Sequence, residues 1–72
     1  MGPRDIGWAV RELLEHRRVA RAGWNGRGMY LELQLPEDHG LELPFVAIGT
    51  AAGLVPWTCS QTDLLAVDWC EA

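Results

Sequence analysis

Val19-Ala20-Arg21-Ala22-Gly23-Trp24-Asn25-Gly26-Arg27-Gly28-Met29-Tyr30-Leu31-Glu32-Leu33-Gln34-Leu35 is the stretch on which the fold turns. Residues 19–22 and 29–35 alternate in character, the period of a strand with one face in a core. Between them, Asn25-Gly26 is the pair best suited to a type I′ turn, whose two central positions both need positive φ. Residues 19–35 are therefore predicted to form a β-hairpin. Hairpin geometry accounts for Asn25-Gly26 but not for Trp24 and Arg27. Trp offers a π-face to a base, and Arg offers a fork to phosphate. That pairing points to nucleotide recognition, and a contact between subunits would use the same residues.

Upstream, Ile6, Ala9, Val10, Leu13 and Leu14 recur at helical spacing, an apolar stripe that faces a core. Asp5 is placed to cap the helix start, and Arg17 and Arg18 sit where the helix dipole favours cations. A helix is expected at about residues 5–17, with Glu12 and His16 spaced to pair across one turn. Downstream, Pro36-Glu37-Asp38-His39-Gly40 reads as a polar loop. Phe45-Val46-Ala47-Ile48 and Leu54-Val55 read as strands joined by a turn at Thr50-Ala51-Ala52-Gly53. Ser60-Gln61-Thr62-Asp63 resembles a capping box, in which the Ser60 oxygen takes the Asp63 amide and the Asp63 carboxylate reaches back. A short helix over about 60–66 and a last strand at Asp68-Trp69-Cys70 complete the chain. The expected class is α+β: an N-terminal helix packed on a small antiparallel sheet of two hairpins, plus a short C-terminal helix and strand.

Seventy-two residues fit one domain, taken here as 1–72, that buries only about 60% of its unfolded surface. Dense aromatic packing or oligomerisation is an expected compensation. Four Trp accompany a single Phe and a single Tyr. Trp57 and Trp69 suit a core and a binding surface equally. All six Arg lie within residues 1–27 beside three carboxylates, a local charge of +3. The remainder holds seven carboxylates and no base, a local charge of −7, and the chain carries −4 overall. Such segregation suits contact between subunits, and the Arg cluster suits phosphate. It disfavours duplex DNA, which the acidic part repels. The start of the chain lacks the apolar core of a secretory signal, and no apolar run reaches the ~18 residues of a membrane span. A cytoplasmic location with reduced thiols at Cys59 and Cys70 is expected.

Catalysis needs a nucleophile beside a base, an acid beside a base, or a metal. His16 and His39 fall on a polar helix face and in a loop, in no recognisable signature. Cys59, Cys70 and the two His do not have the spacing of a zinc site, so no metal or cofactor is expected. Asp63 and Asp68 are the one carboxylate pair of interest, and Asp63 already has a capping role. Gly23, Gly26 and Gly28 match neither a Walker loop nor a dinucleotide fingerprint. The expectation is a binding protein rather than an enzyme.

Two motifs carry a likeness. Arg21-Ala22-Gly23-Trp24-Asn25-Gly26, followed by Gly28-Met29-Tyr30, is joined by a second run. That run is Val55-Pro56-Trp57, then Ser60-Gln61, Asp63, Leu65-Ala66 and Asp68-Trp69. Together they resemble the Thoeris anti-defence 2 family of small phage and prophage proteins. The resemblance implies a homo-oligomer, typically a tetramer, with pockets between protomers. It implies binding and sequestration, without cleavage, of the cyclic ADP-ribose-type signal made by a bacterial Toll/interleukin-receptor-like enzyme, glyco-cyclic ADP-ribose. Some relatives also take up cyclic oligonucleotide signals. By position it points to Trp24, Asn25 and Gly26 in the turn, beside which Arg27 is a candidate from its own chemistry, and to Trp57, Ser60, Gln61 and Asp63 in the second motif. Trp24 would stack on a base or close a wall, and Asn25 and Gln61 would bond ribose or base edges. Ser60 and Asp63 also have the simpler reading of a helix cap. The segment from Pro36 to Pro44 is shorter than in many relatives, where an insertion helps line the pocket. The alternative function is a protein-interaction module in which the Trp side chains anchor a partner.

Overall fold

A computed structural model describes residues 4–24, 28–40 and 42–72. The chain runs α1 (Ile6–Leu14), β1 (Val19–Arg21), β2 (Tyr30–Gln34), α2 (Pro36–His39), β3 (Phe45–Thr50), β4 (Gly53–Pro56), α3 (Gln61–Leu65) and β5 (Trp69–Glu71). The five strands form one sheet in the order β4-β3-β2-β1-β5, and every neighbouring pair is antiparallel. The α+β reading is therefore correct, with the two hairpins side by side and β5 added at the β1 edge. The last strand returns to lie beside β1, and that return brings the second sequence motif next to the first.

α1 begins where its cap predicts: the Asp5 carboxylate accepts the Trp8 amide at 2.9 Å. It ends earlier than the charge pattern suggests. His16 adopts φ 62°. Its amide bonds the Leu13 carbonyl at 3.0 Å, and the Arg17 amide bonds the Glu12 carbonyl at 3.0 Å. Those two bonds make a Schellman stop with His in the place usually held by glycine. The spacing of Glu12 and His16 is thus not used, and Glu12 takes Arg17 instead at 2.9 Å. Pro36 to His39 form a helical turn rather than an irregular loop, since proline's fixed φ suits a first helical position.

Ala9, Leu13, Val19, Leu31 and Trp69 form the buried cluster, with Ile6, Trp8, Trp24, Val46, Ile48, Trp57 and Ala66 against it. The cross-strand register puts Val19 opposite Leu31 and Leu31 opposite Ile48, so these side chains share the face that α1 covers. α1 lies over β5, β1 and β2 and touches α3. Its apolar stripe is narrower than its spacing implies: Leu14 is 63% exposed. The opposite face of the sheet carries Tyr30, whose ring lies directly over Gly49, where any Cβ would collide with it. The Arg18 guanidinium sits on that ring at 4.4 Å and pairs with Glu32 at 3.1 Å.

The first hairpin is present, with Val19 opposite Leu31, β1 ending at Arg21 and β2 beginning at Tyr30. After Arg21 the chain leaves β2: the Ala22 amide bonds the Asp68 carbonyl at 3.1 Å, and the Trp24 amide bonds the Arg21 carbonyl at 3.2 Å. The type I′ turn expected at Asn25-Gly26 lies outside the described residues.

Candidate functional site

Trp69 is the hub of the region where the two motifs meet. It is 2% exposed. Trp24 meets it edge-on with ring centroids 5.6 Å apart at 79°. Trp57 does the same at 6.0 Å and 87°. Edge-to-face contact suits the charge distribution of aromatic rings. The Trp69 indole N–H donates to the Asp63 carbonyl at 3.3 Å, which ties β5 to α3.

Asp63 enters α3 through a half-formed capping box. Ser60 Oγ accepts the Asp63 amide at 3.1 Å. The return arm is replaced, because the Asp63 carboxylate turns toward β1. There its Oδ1 accepts Arg21 Nη1 at 2.8 Å and the Trp24 indole N–H at 3.2 Å. Arg21 also spans to Asp68, with Nε at 2.7 Å from Oδ1 and Nη2 at 3.4 Å from Oδ2. Asp68 Oδ2 in turn accepts the Gly23 amide at 2.9 Å. A Cβ at position 23 would lie 3.0 Å from that oxygen, so this close approach favours glycine.

The charges follow from these contacts. Burial pushes the Asp63 carboxyl upward, but hydrogen bonds from Arg21, Trp24 and Ser60 outweigh it and hold the pKa below the usual range. Asp68 is likewise lowered, first by Arg21 and then by the Gly23 amide. Arg21 is raised by the same two carboxylates. Loss of hydration, with Asp63 nearby, pushes the Cys59 thiol up, the direction that makes a thiol less reactive. The other thiol, Cys70, contacts the Ala20 carbonyl at 3.4 Å. A carboxylate pair clamped this way is held ionised, whereas a general acid needs a pKa raised toward the working pH.

Two hollows flank the hub. One is an open groove of about 750 Å³ lined by Glu42, Leu43, Pro44, Phe45, Val46, Pro56 and Trp57. The other, about 530 Å³, holds Gln61, Thr62, Leu65, Ala66 and Val67 beside Arg21 and Asp68. Of the site residues expected from sequence, Trp24, Trp57 and Asp63 converge on Trp69. Gln61 opens onto the smaller hollow, and Ser60 is exposed at the start of α3. Asn25, Gly26 and Arg27 lie outside the described residues. Trp24 is half-buried, not displayed on an exposed turn, so packing supplies a reason for it that the hairpin alone did not.

Arg21 and Asp68 form an ion pair at the meeting of the two motifs that sequence reasoning passed over. The signal was available in the segregation of bases and acids along the chain. That segregation suggests contact between subunits, yet the fold also uses it internally: Arg21 meets Asp63 and Asp68, and Arg18 meets Glu32.

A family model described as the Thoeris anti-defense 2-like domain matches residues 4–72. Thoeris anti-defense 2 of Bacillus phage SP01 is 35% identical over 80 residues, an alignment covering 90% of this chain and 90% of that relative.

Proposed function

The chain belongs to the Thoeris anti-defense 2-like family, and on that premise we propose that it counters Thoeris defence by binding a cyclic ADP-ribose-type signal and withholding it intact. The observation that carries this reading is Trp57. Its indole packs at right angles on buried Trp69, and the same residue lines the open groove with Phe45, Pro44 and Pro56. A pre-set aromatic wall of this kind is what a nucleobase stacks on, at about 1–3 kcal/mol per base. The groove's volume falls within the usual ~300–1,000 Å³ of small-molecule sites.

Sequestration rather than turnover fits the electrostatics. Asp63 and Asp68 are held ionised by Arg21, which suits fixed bonding to donors and not proton transfer. The groove is open to one side, and a second protomer covering it is part of the proposal. Gln61, on the neighbouring hollow, and, by their place in the sequence motif, Asn25, Gly26 and Arg27 are proposed as polar partners for ribose and phosphate. Ser60 serves it through the α3 cap.

Calorimetric titration with glyco-cyclic ADP-ribose tests the reading. Saturable binding, with the nucleotide recovered unaltered after the protein is denatured, is expected. No binding across a panel of cyclic ADP-ribose isomers and cyclic oligonucleotides would sink it. A hydrolysed product would make the protein an enzyme.

A further inference from the structure

We propose that Asp63 acts on the ligand through Trp24: it is a positioning residue that, with Asp68 and the Arg21 fork between them, fixes Gly23 and Trp24 against α3. This inference rests on the binding reading above and assigns a division of labour within that site.

Two consecutive residues at the turn's root are each held by a carboxylate from the far end of the chain. The Gly23 amide reaches Asp68 across 45 positions, and the Trp24 indole reaches Asp63 across 39. Two carboxylates set this close would repel one another. Arg21 satisfies both with three N–H groups, and it is also the last residue of β1. The clamp therefore joins the end of a strand, the start of the turn and the first turn of α3 in one bonded unit.

Three of the four polar atoms of Asp63 are already bonded within the fold. Its Oδ1 already takes Arg21 and Trp24, its amide bonds Ser60, and its carbonyl takes the Trp69 indole and the Ala66 amide. Its side chain is only 14% exposed. Trp24 is held from two sides. Asp63 holds one end of its indole and Trp69 meets its ring, so its orientation depends on both. Released from Asp63, the indole gains rotamers that binding must then remove. The loss expected from that ordering is about tenfold in affinity.

A double-mutant cycle on the full chain, read by titration with glyco-cyclic ADP-ribose, separates the roles. Trp24→Phe removes the indole N–H, and Asp63→Ala removes its acceptor. Each is expected to weaken binding about tenfold, and the double variant also about tenfold, because the second change finds nothing left to release. Losses that multiply to about a hundredfold would mean that Asp63 touches the ligand itself, and would overturn the inference.

Asp63→Asn guards against a misfolded Asp63→Ala. It keeps an oxygen for the indole and is expected to bind within about threefold of the original chain. The Trp24 indole N–H resonance, assigned by its disappearance in Trp24→Phe, should stay in place in Asp63→Asn. A tenfold loss with that resonance unmoved would overturn the inference. If the unmodified chain fails to bind, the sequestration reading fails and takes this inference with it. Binding by the unmodified chain with multiplicative losses removes the inference alone.

Discussion

Replacing Trp69 with Phe exchanges the two-ring indole for a single benzene ring, without an N–H, at the point where the two motifs meet. Three interactions change. The bond from the indole N–H to the Asp63 carbonyl is lost, at about 1 kcal/mol net. The edge contacts to Trp24 and Trp57 weaken, each at about 0.5–1.5 kcal/mol when removed outright. A residue 2% exposed also leaves unfilled volume behind, with its own cost. A loss of about 3 kcal/mol is expected in all. A domain of this length has about 4–11 kcal/mol to lose, so the variant should fold while melting some 12–24 °C lower, at about 4–8 °C per kcal/mol. Far-UV circular dichroism is the right probe in thermal and urea titrations, because the change removes a fluorophore. An unchanged urea dependence would mark a pure stability effect. A loss below about 1 kcal/mol would refute the placement of Trp69 as the hub that holds α3, β5 and the turn together.

Acid should unfold the protein through the clamp. Asp63 and Asp68 have pKa values lowered by folding, so their stabilisation is complete above the unfolded carboxylate value of about 4. It is lost as pH falls through the folded values, where the unfolded chain binds more protons. Urea midpoints measured from neutral pH downward should fall in that acid window, and less so in the Asp63→Asn, Asp68→Asn double variant; an identical acid slope would exclude the clamp as the cause. His16→Gly should stabilise by about 1 kcal/mol, since φ 62° strains a side chain and not glycine; a lower melting temperature would argue against the Schellman stop. Gly49→Ala should destabilise by about 1–3 kcal/mol, because the added methyl meets the Tyr30 ring. Combining it with Tyr30→Ala should make the glycine change nearly neutral, and equal costs in both backgrounds would show that the ring does not lie there.

Local signals carried much of the fold. Asp5 and Ser60 are caps whose partners are three residues away, and strand alternation has a period of two, so both are legible over short windows. The end of α1 was not, because a helix stopped by His at a left-handed position looks like a helix continuing into Arg17. The site was half legible for a related reason. Trp24, Trp57 and Asp63 were visible as unusual residues in recognisable motifs. Their mutual arrangement depends on β5 pairing with β1, which brings Asp68 beside Gly23 across 45 positions. Nothing local in the sequence announces that pairing. The same return draws Arg21 into an internal ion cluster with Asp63 and Asp68, one use of the separation of bases and acids within the fold.

Mass spectrometry of the small molecules that co-purify with the protein, from cells in which a Thoeris system is making its signal, tests the central claim most directly. One intact cyclic ADP-ribose-type nucleotide should be released on denaturation in near-stoichiometric amount, and should disappear when Trp57 is replaced by Ala. Protein that emerges without a nucleotide from those cells, or that carries only a cleaved product, would contradict sequestration as its function.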